Sequence, residues 1–199
     1  MFGRKIYYLL ILIFFTSCGL FNTRNPEEPD RGKSTFYTPV RPDTVVSNFI
    51  YAIKEKNTEN YIKCFWDTLD NPGLNYSFIP SPDAIALYQT IFNSWDINSE
   101  RNYFLNLISI IPEDEYPQLE LINKDYPVQQ SNSWTFVADY ILTFKNDKDT
   151  TFAYAGKLQF IIQYKDNKSL WYIQKWIDTN PSNDSIKSTW SILKAQFAK

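Results

Sequence analysis

The chain has 199 residues, 20 basic and 22 acidic side chains, a formal net charge of −2 and no histidine. This length allows one domain with a hydrophobic core. The balanced charge, without a basic patch, argues against a nucleic-acid-binding protein. Without histidine, Ser-His-Asp and Cys-His catalytic sites are excluded, and two cysteines are too few for a thiolate zinc site. The sequence therefore predicts neither a metal nor another cofactor.

The first 18 residues have the three parts of an export signal. Arg4 and Lys5 give a short positive region, residues 6–15 form an apolar and aromatic run, and small residues lead up to Cys18. The run is shorter than the roughly 20 residues that a helix needs to cross the hydrocarbon core of a bilayer. The segment is therefore predicted to direct export of the chain.

The four residues FTSC, from Phe15 to Cys18, resemble the lipobox of bacterial lipoproteins. In that family the cysteine sulfur receives a diacylglyceryl group, the chain is cut just before the cysteine, and the new amino group is acylated. The resemblance implies that residues 1–17 are a signal peptide and that Cys18 binds a lipid bilayer through its lipid. Phe15 departs from the leucine most often found there, and an ordinary signal peptide with an incidental cysteine is the alternative.

Gly19 bears on the destination of such a lipoprotein. The family's usual signal for inner-membrane retention is an aspartate at this position, so the resemblance implies a bacterial cell-envelope protein anchored in the outer membrane. Residues 19–41 are polar and lack periodicity, which is typical of a disordered segment. Residues 18–41 are therefore predicted to be a lipidated tether, and residues 42–199 a single domain.

Four helices and one short strand are predicted before the first long strand. Apolar residues recur at helical spacing after Pro42, and Ser81 followed by Pro82 is a strong helix start. Pro112 ends the last of these helices. The predicted order is helix 42–53, helix 57–65, strand 74–79, helix 81–95 and helix 98–108.

From residue 116 the apolar period changes from 3.6 to 2, which predicts strands. SWTFVADYILTFK and FAYAGKLQFIIQYK both alternate apolar and polar side chains, and LWYIQKWID forms another long strand. The short polar turns between these segments predict antiparallel hairpins. A last helix is predicted at residues 186–197, carrying Trp190, Leu193 and Phe197.

This order predicts an α+β domain in which helices pack on one face of a curved antiparallel sheet. The helix pair in residues 41–65 and the strand at residues 171–178 resemble the cone-shaped, cystatin-like nuclear transport factor 2-like superfamily, also called ketosteroid-isomerase-like. The resemblance covers residues 42–178 and implies a pocket at the open end of the cone. The additional C-terminal helix departs from the minimal family. Members include enzymes with an Asp or His base and proteins that only bind, so the fold does not decide the function.

Asp139 is the candidate catalytic residue. It lies within a strand between Ala138 and Tyr140, where a carboxylate is disfavoured, and inside the cone it would act as a general base with a raised pKa. The alternative is an outward-facing carboxylate paired with Lys157 on the next strand. Cys64 is predicted to be a buried core residue without catalytic activity, because no histidine is available to activate it.

Aromatic residues make up 18% of the chain, and most of those on the strands fall on the inward-facing period. This pattern predicts an aromatic core. The alternative is a stacking surface for a sugar or another flat ligand, with Trp134, Trp171 and Trp176 as candidate ligand-binding residues.

Three functions are compatible with the sequence. The first is a membrane-anchored lipoprotein whose domain is a non-catalytic binding or scaffold module for an envelope protein or a small ligand. The second is an isomerase- or dehydratase-type enzyme with a carboxylate in the cone pocket, and the third is a carbohydrate-binding accessory protein. A filled cone favours the first, a pocket with a buried carboxylate the second, and two exposed coplanar tryptophans the third.

Overall fold

A computed structural model describes residues 34–66, 75–181 and 188–198. Cys18 and the predicted signal peptide lie outside these residues, so the lipoprotein assignment stays a prediction. The described residues form five helices and five strands: α1 (Pro42–Lys54), α2 (Thr58–Lys63), β1 (Ser77–Ile79), α3 (Pro82–Phe92), α4 (Ile97–Ser109), β2 (Gln118–Gln129), β3 (Ser133–Lys145), β4 (Thr151–Lys165), β5 (Leu170–Thr179) and α5 (Trp190–Phe197).

Local sequence signals account for most of the helix starts. Pro42 and Pro82 lie in the first turns of α1 and α3, where a missing backbone N–H costs nothing. The Asn57 side chain caps α2 by accepting the backbone N–H of Asn60 at 3.0 Å. Asp96 caps α4, two residues before the predicted start at Asn98.

The five strands form one sheet in the order β1-β5-β4-β3-β2. The four long strands pair antiparallel, as their short turns predict, whereas the edge strand β1 pairs parallel with β5. The sheet is therefore mixed. Register breaks between Ile122 and Val128 on β2, and between Ile161 and Ile162 on β4, interrupt the ladders and allow the sheet to curve.

The concave face of the sheet holds an aromatic core built around Phe49 of α1. The Phe49 ring lies 5.1 Å from Phe160 and 5.5 Å from Trp176 on the sheet, and 5.7 Å from Trp190 of α5, measured between ring centroids. All four side chains are at most 1% exposed. Helix α5 packs against α3, α4 and β4, so the last helix completes the core.

Residues before α1 also belong to the folded domain. Asn48, buried on α1, accepts the Tyr37 backbone N–H at 2.9 Å and donates to the Tyr37 carbonyl at 2.7 Å. The Trp171 backbone N–H on β5 donates to the Pro39 carbonyl at 2.8 Å. The folded part therefore begins before residue 42, because these backbone groups form hydrogen bonds with the domain. The local sequence pattern does not predict these hydrogen bonds.

Candidate functional site

The interior of the cone contains a buried ion pair. Glu100 lies in the first turn of α4, and Lys194 lies in α5; their side chains are both 0% exposed, and Nζ of Lys194 is 2.7 Å from Oε2 of Glu100. Glu100 faces inward because Tyr103, Phe104 and Leu107 follow it on the same helical stripe and are all buried. The α4–α5 packing thus brings two charges together that lie far apart in the chain.

Three further donors hold the Glu100 carboxylate. The Tyr61 hydroxyl donates to Oε1 at 2.6 Å, while the Tyr76 hydroxyl and the Trp95 indole N–H donate to Oε2 at 2.9 and 2.8 Å. Both oxygens are therefore hydrogen-bonded, which a buried charge requires.

Aromatic rings enclose the ammonium group of Lys194. Nζ lies 3.6 Å from the ring centroid of Trp176 and 3.7 Å from that of Phe78, with Trp95 and Tyr103 each at 5.6 Å. These faces carry partial negative charge and stabilise a cation. Burial nevertheless lowers the pKa of Lys194 to about 8, and the charge and hydrogen bond of Glu100 only partly offset that effect.

A second buried carboxylate, Asp178 at the end of β5, is engaged by the start of α5. Its Oδ2 accepts the backbone N–H of Ser191 at 2.7 Å and the Ser191 hydroxyl, and its Oδ1 accepts the Tyr140 hydroxyl at 2.9 Å. The Tyr140 oxygen in turn accepts the Trp190 backbone N–H at 2.6 Å. Burial raises the pKa of Asp178 to about 6, although these hydrogen bonds counteract the shift.

Gly156 on β4 leaves the space that this network needs. A Cβ at this position would lie 2.6 Å from the Tyr140 hydroxyl oxygen and 2.6 Å from the Thr179 carbonyl oxygen. Any larger residue would have to displace Tyr140 from Asp178 or move the β5 backbone. The glycine therefore permits the tyrosine–aspartate contact.

The described surface carries an open groove of about 430 Å³ beside α2. Its apolar wall includes Phe36, Ile62 and Leu170, and its charged side chains are Glu59, Lys63, Arg101 and Lys168. Arg101 contacts both carboxylate oxygens of Glu59. The groove lining therefore contains three basic side chains and one acidic side chain, which is paired with Arg101.

The structure places the three candidate tryptophans apart from any stacking platform. Trp176 is 0% exposed in the core and packs over Lys194, and Trp171 is 8% exposed. Trp134 is half-buried, and its ring meets Trp171 edge-on, with centroids 6.4 Å apart and planes at 68°. The coplanar exposed pair that carbohydrate stacking requires is not formed by these residues.

Asp139 lies on the face of β3 opposite to Ala138 and Tyr140, which are buried in the core. One of its oxygens is 3.7 Å from Nζ of Lys157, its register partner on β4, and the other accepts the side-chain amide of Asn123 at 2.7 Å. This geometry matches the alternative of an outward-facing carboxylate. Alternation along the strand directs the side chain away from the cone.

The residues that sequence reasoning missed are the buried charges Glu100, Lys194 and Asp178. Glu100 had a signal, since Tyr103, Phe104 and Leu107 repeat at its helical spacing. Lys194 lies between Leu193 and Ala195 in a helix that begins with Trp190. In a short helix, a lysine flanked by apolar residues is equally compatible with a buried and with a solvent-exposed position. Only their contact across α4 and α5 identifies the pair.

Comparison with known proteins identifies the fold. No family model and no curated protein matches the sequence. Among solved structures, a superfamily protein from Salmonella enterica, named after nuclear transport factor 2, is 14% identical, with a TM-score of 0.52, covering 71% of this chain and 89% of its own. The domain has the nuclear transport factor 2-like fold. The predicted α+β class, with helices on a curved sheet and an added C-terminal helix, is confirmed.

Other proteins with this fold differ widely in activity. A Streptomyces avermitilis protein assigned as a dehydratase is 11% identical, with a TM-score of 0.51, covering 72% of this chain and 100% of its own. The beta subunit of benzoate 1,2-dioxygenase from Burkholderia mallei is 12% identical, with a TM-score of 0.51, covering 69% of this chain and 86% of its own. Identities this low show the shared nuclear transport factor 2-like fold and no shared function.

Among the described residues of the nuclear transport factor 2-like domain, no helix is long and apolar enough to cross a bilayer. No group of three or more potential metal ligands occurs in the same part of the chain.

Proposed function

We propose that this protein is a bacterial cell-envelope lipoprotein, anchored in the outer membrane through Cys18, whose nuclear transport factor 2-like domain is a non-catalytic binding or scaffold module. The single observation that carries the proposal for the domain is that buried side chains of α5 occupy the interior of the cone. Lys194 and Ser191 of α5 engage Glu100 and Asp178, the two fully buried carboxylates of the described residues. A carboxylate whose oxygens are already bound by the chain's own donors has no free position for a substrate proton.

The lipid anchor rests on the segment that resembles a lipobox, and it gives a direct test. Replacing Cys18 by Ala is expected to abolish incorporation of labelled palmitate and to release the protein from the membrane fraction, because the sulfur is the acceptor of the lipid. The matched control is Cys64→Ala, a change of the same kind at a buried residue, which should keep the label. Normal labelling of the Cys18→Ala protein would refute the anchor.

The groove beside α2 is the surface that best supports a binding role. Its apolar wall and basic rim favour an acidic segment of another envelope protein, since opposite charge raises the rate of association and excludes basic partners. Lys63 lies in this groove and is solvent-exposed, so it can be changed without disturbing the core.

Lys63→Glu is therefore expected to weaken capture of the partner at least about tenfold, which corresponds to ~1.4 kcal/mol of binding free energy. Full-length protein in mild detergent is used as bait, and bound envelope proteins are quantified by mass spectrometry. Lys148→Glu, the same charge change at an exposed turn outside the groove, is the control. Identical capture by the two variants would exclude the groove as the binding surface.

An enzymatic function has one specific observation in its favour. Asp178 and Tyr140 form a buried carboxylate–hydroxyl pair, a combination suited to proton transfer on a small apolar substrate, and the pKa of Asp178 is raised to about 6. This alternative requires α5 to leave the cone, because Ser191 and Trp190 occupy the positions next to the pair. Turnover that is lost in Asp178→Asn would favour the enzyme over the binding module.

A further inference from the structure

Apolar side chains are exposed near the beginning of the described chain. Tyr37 is 56% exposed, Val40 60% and Tyr51 37%, and these three residues are called the tyrosine patch below. We infer that the tyrosine patch lies against the surface of the bilayer that the proposed lipid anchor enters, so that the domain rests on the membrane in one orientation. The inference rests on the lipid anchor proposed above and adds a second, non-covalent contact with lipid.

The two tyrosine rings lie together on a fixed backbone. Their centroids are 6.2 Å apart and their planes meet at 62°, an edge-to-face arrangement. The buried side chain of Asn48 accepts the Tyr37 backbone N–H and donates to the Tyr37 carbonyl, which holds this part of the chain against α1. Tyr51 lies on the next turn of α1, three residues after Asn48. The domain therefore presents both rings at its surface without burying them.

These side chains have the chemistry of a membrane–water interface. A tyrosine has an apolar ring and a polar hydroxyl, so tyrosine is enriched at the level of the lipid headgroups. Val40 adds an aliphatic group, on a backbone that Pro39 ties to Trp171 of β5. Lys54 is exposed three residues after Tyr51, which places an ammonium group near the rings for a lipid phosphate. Apolar side chains grouped in this way, rather than scattered singly, mark an interaction surface.

Two acidic side chains occur close to the tyrosine patch in the sequence, and the chain's own donors engage both. Asp43 pairs with Arg41 at 3.1 Å. The Glu55 carboxylate accepts the Thr35 backbone N–H at 2.8 and 3.0 Å. Their charge is therefore partly offset, and they repel lipid phosphate less than unpaired carboxylates do.

The position of the tyrosine patch in the chain selects the bilayer as its partner. The described chain begins at Ser34, three residues before Tyr37, and 15 residues separate Ser34 from Cys18. A flexible coil of this length spans about 22 Å on average. The predicted tether therefore keeps the tyrosine patch near the lipid, at an effective concentration in the millimolar range. A contact that is too weak to bind a free protein to a membrane is sufficient under these conditions, because a lipid anchor and a second signal act together.

A second set of exposed apolar side chains, Ile85 and Leu87 of α3, provides the competing surface. Leu87 lies 53 residues after Ser34, so the tether does not by itself bring α3 near the lipid. Comparison of the two sets therefore tests position in the chain separately from apolar character.

Fluorescence quenching by lipids tests the inference on the full chain. Three proteins each carry one new surface thiol, Val40→Cys, Leu87→Cys or Lys148→Cys, modified with the same environment-sensitive fluorophore. Cys64 is buried, and in the proposed lipoprotein the sulfur of Cys18 carries the lipid, so the new thiol is the reactive one. The proteins are reconstituted in vesicles of phosphatidylethanolamine and phosphatidylglycerol, with or without a nitroxide quencher near the top of the acyl chains.

The label at residue 40 is expected to lose fluorescence in the quencher vesicles and to emit at a shorter wavelength. The reason is that interfacial side chains lie at the boundary between headgroups and acyl chains. The labels at residue 87 and at the exposed turn residue 148 should be unaffected. Equal quenching at all three positions, stronger quenching at residue 87, or no quenching at residue 40 would overturn the inference.

A variant and a flotation measurement separate this inference from the proposed anchor. Adding Tyr37→Ser and Tyr51→Ser to the Val40→Cys protein should reduce its quenching while the protein still floats with the vesicles, because its lipid anchor is unchanged. Full quenching in this variant would also count against the tyrosine patch. A protein that floats without quenching at residue 40 overturns the inference alone, whereas a protein that does not float refutes the anchor, and the inference falls with it.

Discussion

Lys194→Met is expected to lower the free energy of unfolding by about 3–5 kcal/mol, the usual cost of removing one partner of a buried ion pair. The change conserves most of the side-chain volume and removes the charge. Glu100 then stays buried without its cation, although Tyr61, Tyr76 and Trp95 still donate to it. Urea unfolding monitored by tryptophan fluorescence gives the free-energy difference, provided that the slope with denaturant is unchanged.

Two further variants separate this effect from a general loss of packing. The double variant Lys194→Met with Glu100→Gln is expected to recover much of the lost stability, because neither partner is then charged. Lys157→Met, which breaks the partly exposed pair with Asp139, should cost less than about 1 kcal/mol. A Lys194→Met protein as stable as the wild type would show that the ion pair does not stabilise the interior.

The stability of the domain is expected to fall by up to about 3 kcal/mol as the pH rises from 4 to 6, through the titration of Asp178. Burial raises its pKa from the ordinary 3.8 to about 6 in the folded protein. Between these values the folded protein keeps a proton that the unfolded chain has lost. Proton binding therefore favours folding at low pH, and this contribution disappears as the pH passes through the folded-state pKa.

Asp178→Asn is the control for this pH dependence. Asparagine can still accept the Ser191 N–H, but it does not titrate, so the fall in stability between pH 4 and 6 should be absent. Tyr140 and Ser191 contact Asp178 and do not titrate in this range, and the pKa of Lys194, whose charge acts on Asp178, is about 8. A fall of the same size in both proteins would assign the effect to other groups.

Other carboxylates in the described residues act in the opposite direction and at lower pH. Arg101 holds the pKa of Glu59 below its ordinary value, and hydrogen bonds from Ser99 and Asn98 hold that of Asp96 below its own despite partial burial. Their stabilisation is present above those ordinary values and is lost on acidification. Measurements between pH 4.5 and 6.5 therefore isolate the contribution of Asp178 best.

Strand alternation predicted the sheet well, because a half-buried strand imposes a period of two on its own residues. Phe136, Tyr140 and Leu142, which the pattern of β3 places on the inward face, are at most 1% exposed. Helical spacing was a weaker guide for α3. Its apolar residue Ile85 is 42% exposed, the backbone of α3 departs from helical geometry at Tyr88, and little of the helix meets the core.

The candidate site was harder to predict than the fold. Asp139 and the three tryptophans were candidates because their residue types are suited to catalysis or stacking. The residue type does not determine whether a side chain points into the cone or towards solvent. Glu100 and Lys194, the pair with the strongest structural argument, belong to two helices that the four long strands separate along the chain. Their partnership is a long-range contact, which no local pattern encodes.

The sequence by itself determined the helix and strand order, the antiparallel hairpins and the aromatic composition of the core, because each depends on neighbouring residues through period, capping and turn chemistry. Only the tertiary structure decided that β1 pairs parallel with β5 and that α5 fills the cone. The same is true of the meeting of Lys194 with Glu100. A buried charge is stable only when an opposite charge and hydrogen-bond partners surround it. The packing of elements that are distant in the sequence provides these partners.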